Sequence, residues 1–144
     1  MTAITKTALV EYSPEQMYQL VDDIPRYAEF LPWCEQAREL ERTEDEVCAS
    51  LEIAHSGLHK SFTTRNRLVK NRSIEIHLVN GPFRHLYGIW RFEPLGDGRA
   101  CKVTLEMDFE FSSKLLSLTF GKIFTVIAST LVDAFVKRAK EIHG

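Results

Sequence analysis

The sequence predicts an α+β fold: one antiparallel sheet of six to seven strands against a long C-terminal helix, with two short helices after the first strand. Three observations carry that prediction. The middle of the chain breaks into strand-like segments separated by short polar or glycine-bearing turns, as an antiparallel meander requires. The last of these, Ala100 to Phe111, alternates cleanly: Cys101, Val103, Leu105, Met107, Phe109 and Phe111 on one face, and Lys102, Thr104, Glu106, Asp108 and Glu110 on the other. Such a sheet has one dry side and one wet side. Finally, Ser112 or Ser113 is placed to cap a helix running from Lys114 to Ile142, whose basic last turns (Lys137, Arg138, Lys140) suit its negative end.

The elements follow in order. Ala3 to Glu11 alternates and reads as the first strand. Ser13-Pro14-Glu15-Gln16 then supplies an N-cap, a proline at N1 and a glutamine at N3 for a helix to about Asp23, with Met17, Leu20 and Val21 on its apolar face. Pro25 opens a second short helix through Phe30 and Pro32 stops it, leaving Phe30, Leu31, Trp33 and Cys34 as an apolar cluster. The remaining strands are expected at Glu35–Arg42, Glu46–His55, Leu58–Val69, Arg72–Asn80, Leu86–Leu95 and Ala100–Phe111. Their turns are Thr43-Glu44-Asp45, Ser56-Gly57, Lys70-Asn71 and Gly96-Asp97-Gly98.

The segment from Asn80 to Leu95 is the most telling. Gly81 permits unusual backbone angles, Pro82 fixes its own φ, and Phe83 is expected to leave the turn as a bulky apolar projection. Beyond it Leu86, Gly88, Trp90 and Phe92 share one strand face, while Tyr87, Ile89, Arg91 and Glu93 share the other. The long helix is predicted to bury Leu116, Phe120, Ile123, Ile127, Leu131 and Ala134. Its first half is apolar around most of its circumference, so a second partner is needed. Burial against the Phe30 to Trp33 cluster and the Phe83 turn is one such partner; lining a ligand mouth is the other.

At 144 residues and 44% hydrophobic content, one domain spanning 1–144 is expected. A net charge of −2 argues against strong nucleic-acid attraction as a whole, but the charge is uneven. Glu11 to Glu46 holds eleven acidic and three basic residues, and Lys60 to Arg91 holds seven basic residues against Glu75 alone. A basic sheet surface facing a polyanion is one reading, a solvated strand surface the other. Three cysteines (Cys34, Cys48, Cys101), far apart and in no C-x-x-C pair, argue against a disulfide framework or a zinc site and for a reducing compartment. No signal peptide or import presequence is legible, so a cytoplasmic location is expected. No membrane span is expected either, since the apolar run Ile123 to Val132 is ten residues against the ~20 required.

Chemistry finds little support. The predicted concave face carries Trp90, Phe92, Leu105, Met107, Phe109, Ile74, Ile76 and Leu78, with Asn80 at its end and no carboxylate or histidine in phase. The five histidines form no H-x-H or H-E-x-x-H pattern, and no nucleophile elbow or P-loop is present. No catalytic or metal-ligating residue is assigned.

Two motifs carry a resemblance. Tyr12-Ser13-Pro14 through Asp23-Ile24-Pro25-Arg26-Tyr27 to Phe30-Leu31-Pro32-Trp33-Cys34, and Asn80-Gly81-Pro82-Phe83 through Trp90-Arg91-Phe92-Glu93-Pro94-Leu95, resemble the START-like (polyketide cyclase/coenzyme Q-binding) family over essentially the whole chain. The resemblance implies a helix-grip fold, in which a curved sheet wraps the long helix and encloses an apolar cavity. It implies a hydrophobic ligand site at Phe30, Leu31, Trp33, Phe83, Trp90, Phe92, Leu105, Met107, Phe109, Leu116, Phe120, Phe124 and Ile127. The resemblance is closer to the bacterial ribosome-association members than to organellar coenzyme Q chaperones, which normally carry a presequence. That implies a non-enzymatic protein binding the large ribosomal subunit and its rRNA, inhibiting subunit association as the toxin of a toxin-antitoxin pair. Lys60, Arg65, Arg67, Lys70 and Arg72 are the matching contact residues, because phosphate binding needs accessible Lys and Arg. Arg65 and Arg67 share one strand face and Lys60 and Lys70 the other, with Phe62 the only interleaved ring. The alternative is a protein binding ubiquinone or a lipid. No cofactor is required; an isoprenoid quinone or lipid is the expected occupant, and peripheral membrane contact is compatible with it.

Overall fold

Seven strands form one antiparallel sheet in the order β1-β7-β6-β5-β4-β3-β2 in the computed structural model, which describes all residues from Met1 to Gly144. The strands are β1 Thr2–Val10, β2 Cys34–Arg42, β3 Glu46–His55, β4 Leu58–Val69, β5 Ser73–Asn80, β6 Phe83–Leu95 and β7 Ala100–Phe111. Between β1 and β2 lie α1, Pro14–Asp22, and a 3-10 helix, Ile24–Glu29; α2, Lys114–His143, closes the chain. β2 to β7 form a meander of neighbouring hairpins, and β1 adds to its far edge against β7.

Local chemistry sets these boundaries. Ser13 accepts from Gln16 N at 3.2 Å while the Gln16 side chain accepts from Ser13 N at 2.9 Å, so both halves of a capping box start α1. Ser113 caps α2 in the same sense, accepting from Leu116 N at 3.1 Å. Short polar turns separate the hairpins, with Ser56 and Asn71 in left-handed conformations at φ 50° and 63°. Bulges interrupt the register of β2, β5 and β6, which bends the sheet over α2 in the expected helix-grip arrangement.

The core sits between the dry sheet face and α2. At its heart Phe124 meets Phe83, Phe109 and Phe62 edge-on at centroid separations of 4.9, 4.8 and 6.2 Å. Phe83 is the first residue of β6, paired with Phe111 and stacked on it at 5.0 Å, so it is strand core rather than a projection from the turn. Gly81 explains the tight approach: a Cβ there would stand 2.6 Å from Phe62 Cβ.

The buried stripe of α2 differs from the expected one. Phe120, Phe124, Ile127, Ala128, Val132, Phe135 and Ala139 are buried, whereas Leu116, Ile123, Leu131 and Ala134 are only partly covered. The first half of α2 is apolar around most of its circumference and offers little polar side to set its rotation, and the aromatic positions dock most deeply. Nor does the Phe30 to Trp33 cluster cover the rest of its first half, since Leu115, Leu118 and Val126 are 70%, 72% and 60% exposed. The expectation that no apolar stretch reaches spanning length is also corrected: α2 contains an 18-residue stretch of mean hydropathy 1.8, 28% of it buried. The ten-residue estimate stopped at Lys122, but a single lysine does not end such a stretch.

Candidate functional site

An internal cavity of about 70 Å³ lies between the sheet and α2. β3 contributes Ala49, Leu51 and Ile53, β4 Phe62, Thr64 and Asn66, β5 Ile76, β6 Leu86 and Trp90, and β7 Met107. Phe124, Ile127, Ala128 and Leu131 of α2 form the roof, and Ile24, Tyr27 and Trp33 close one end. Of the 17 lining residues 15 are hydrophobic, so the interior suits an apolar guest. The two polar members, Thr64 and Asn66, are buried and bonded to each other, Thr64 Oγ1 donating to Asn66 Oδ1 at 3.0 Å.

The Tyr27 wall is braced from both sides. Its hydroxyl donates to the Val21 carbonyl, and its ring meets Phe135 edge-on at 5.4 Å. Burial, reinforced by the nearby Asp22 carboxylate, raises the phenol above its usual range. Phe30 packs on Phe135 at 5.2 Å, with the Arg138 guanidinium over the Phe30 ring, 4.9 Å from its centroid. A second, open groove of about 570 Å³ runs outside this wall, bounded by Leu31, Pro32, Trp33, His55, Lys122, Ile123, Val126, Ile127 and the Thr130 to Lys137 turns. Trp33 and Ile127 border both spaces, so they stand as the partition between cavity and groove.

Of the residues expected at a ligand site, Trp33, Trp90, Met107, Phe124 and Ile127 line the cavity, and Leu31 lines the groove. Phe83, Phe92, Leu105, Phe109 and Phe120 pack behind it as core, and Phe30 and Leu116 are half-buried at its periphery. Phe92 faces Tyr18 of α1 at 5.8 Å instead. The β3 and β4 lining was not anticipated. Its alternation was legible, but a mixture of aliphatic, aromatic and polar side chains did not mark it as a cavity wall.

The basic residues divide. Arg65 pairs with Glu46 at 2.9 Å across the β3–β4 hairpin, and Arg67 stands opposite both Glu46 and Glu75 in the register. Arg91–Glu106 at 2.6 Å and Arg84–Glu110 at 3.5 Å continue this mosaic on the wet face. Lys60 is half-buried near the start of β4, while Lys70 and Arg72 are exposed at the β4–β5 turn and form no ion pair. Elsewhere Glu35, Glu52 and His59 bring their ligand atoms within 4.8 Å of one another, a grouping distant in sequence.

A sheet gripping a helix over an apolar cavity defines a class, and comparison with known proteins agrees. A family profile described as "Polyketide cyclase / dehydrase and lipid transport" matches residues 10–136, and the chain belongs to this START-like family. Within it, the chain is 48% identical over 144 residues to the Ribosome association toxin RatA of Escherichia coli strain K12, covering all of this chain and 90% of that protein. It is 29% identical over 143 residues to the mitochondrial Coenzyme Q-binding protein COQ10 homolog B of Xenopus laevis, covering 97% of this chain and 59% of the other. In fold it superposes on the Zhui aromatase/cyclase of Streptomyces sp. R1128 with a TM-score of 0.80 at 19% identity, over 96% and 93% of the two chains.

Proposed function

We propose that this protein is a non-enzymatic RatA-type factor that binds the large ribosomal subunit and hinders its joining to the small one, acting in the cytoplasm. The observation that carries the reading is the 48% identity to a ribosome association toxin over the full length of the chain. Among the candidate contact residues, Arg67, Lys70 and Arg72 are exposed and form no ion pair, and the last two, at the β4–β5 turn, have no carboxylate opposite them in the register. Arg65 has a carboxylate partner already. Adding purified protein to ribosomes is expected to shift a sucrose-gradient profile from joined ribosomes to free subunits, less strongly as salt rises. A K70E/R72E variant should lose most of that effect, and Arg65→Glu much less. An unchanged profile at low salt would refute the reading.

A second reading, favoured by the cavity, is binding of an apolar small molecule such as a quinone or lipid. The lining contains no carboxylate or imidazole, which supports holding a guest rather than transforming it. Organic extraction of freshly purified protein should release such a molecule, in lower yield from Trp90→Ala; an extract empty of any apolar molecule would count against this reading.

A further inference from the structure

Asn66 places an amide on an otherwise largely apolar cavity wall. It sits mid-strand in β4, paired in register with Val47 on one side and Ile76 on the other, so no turn or cap calls for an amide there. Asn is among the residues least suited to a strand. Yet it is only 7% exposed, and Thr64, at 6%, is the only other polar residue on the cavity wall. The Thr64 hydroxyl donates to Oδ1, which restrains the amide and occupies one of that oxygen's two lone pairs. The amide nitrogen receives no protein acceptor and is not among the sealed, unpaired atoms of the interior, which leaves it facing the cavity. A buried donor left unmet is unfavourable, and an apolar pair at 64 and 66 would have matched the other lining residues.

The position also defines a depth. Trp33 borders the groove, and its carbonyl accepts from Ala54 N at 2.9 Å. From there the lining runs inward along the β3–β4 hairpin through Ile53, Leu51 and Ala49, and Thr64 stands opposite Ala49 with Asn66 two pairs beyond, opposite Val47. Along this hairpin the polar pair therefore lies at the end of the lining farthest from Trp33. No Lys, Arg or His lines the cavity, so a carboxylate would be desolvated there without a countercharge.

We propose that Asn66, held by Thr64, is a specificity determinant of the cavity and donates a hydrogen bond to a neutral acceptor, a ketone- or quinone-type carbonyl, on an otherwise apolar guest. The inference rests on the cavity being a ligand site. It orients the guest: the carbonyl-bearing ring enters first, and any aliphatic tail passes Trp33 and Ile127 into the outer groove.

The test compares two shape-matched probes, 2,3-dimethyl-1,4-naphthoquinone and 1,2,3,4-tetramethylnaphthalene, by calorimetric titration of the full chain. The ratio of quinone to hydrocarbon affinity should fall about tenfold in Asn66→Leu, and by a smaller factor in Thr64→Val, which keeps the shape but frees the amide. The wild-type protein provides a readout needing no variant, since the Asn66 side-chain NH₂ resonances should move with the quinone and stay with the hydrocarbon. If both probes bind but the ratio is the same in Asn66→Leu, or the amide resonances ignore the quinone, the role of Asn66 is overturned while the ligand cavity stands. If neither probe binds the wild-type protein, the cavity is not a ligand site and both ideas fall together.

Discussion

The guanidinium of Arg138 stands 4.9 Å from the centre of the Phe30 ring, tying the last turns of α2 to the residue that follows the 3-10 helix. The same side chain donates to Glu29 at 2.9 Å and is itself largely covered. Because the 3-10 helix supplies Ile24 and Tyr27 to the cavity wall, this contact holds that wall against the roof. Arg138→Met is expected to lose about 1 kcal/mol, the scale of a partly desolvated cation–π contact. Glu29→Ala should be near neutral, since its carboxylate is half exposed and such pairs contribute little. Denaturant midpoints of the two variants distinguish the contributions; equal losses would mean the ion pair, not the ring, makes the tie.

Gly81→Ala is expected to be costly for a packing reason. The added Cβ would lie 2.6 Å from Phe62 Cβ and 3.3 Å from Phe62 Cα, and a strand backbone cannot swing aside as a side-chain tip can. The expected loss is about 1–3 kcal/mol, typical of overpacking. Thermal unfolding with an unchanged midpoint would show that β4 and the β5–β6 turn are less closely apposed than described.

Stability should fall at alkaline pH. Burial raises the Cys34 and Cys101 thiols to about 11 from 9.0, and the Tyr18 phenol to about 12 from 10.0. Raised values mean the folded state holds these protons more tightly than the unfolded chain. Their contribution is therefore fully present below pH 9 and is lost as pH rises through 11 to 12. Melting temperatures measured from pH 8 upward should decline over that window. Replacing both cysteines with alanine should flatten the early part, and a slope that persists unchanged would assign it to other groups.

Leu115→Glu and Leu118→Glu should leave the fold intact, within about 0.5 kcal/mol, because both side chains are some 70% exposed on α2. A near-N-terminal glutamate also faces the positive end of the helix dipole favourably. Circular dichroism melts check this; a large drop would reveal packing against these leucines that the isolated chain lacks.

How much of this was legible in the residues varies by element. The limits of β3, β4 and β7 follow directly from alternation bounded by Thr43-Glu44-Asp45, Ser56-Gly57 and Gly96-Asp97-Gly98. Phe83 was harder, because Pro82 marks a turn but says nothing about the ladder resuming at the next residue, opposite Phe111. The rotation of α2 was hidden by its own composition. Trp33, Trp90, Met107, Phe124 and Ile127 announced themselves as lining by size, while Thr64 and Asn66 did not. Strand parity places a residue on the inner face, but only the curvature of the whole sheet determines which inner residues touch the helix and which face an opening. The wet-face arginines show the converse: a basic stretch spread over β4 to β6 becomes a charge mosaic once β3 delivers Glu46 beside Arg65 and β7 delivers Glu106 beside Arg91.

The strand order also sets a timetable. β2 through β7 can pair hairpin by hairpin with neighbours that are near in sequence, which is the fast way to build a sheet. β1 cannot: its partner strand begins at Ala100, so Ala8 meets Val103 only after nearly the whole meander exists. During synthesis, the first strand to be made is thus the last to be paired. Until then the outer edge of β7 is open, and whatever holds or shields that edge governs how safely the chain reaches its folded state.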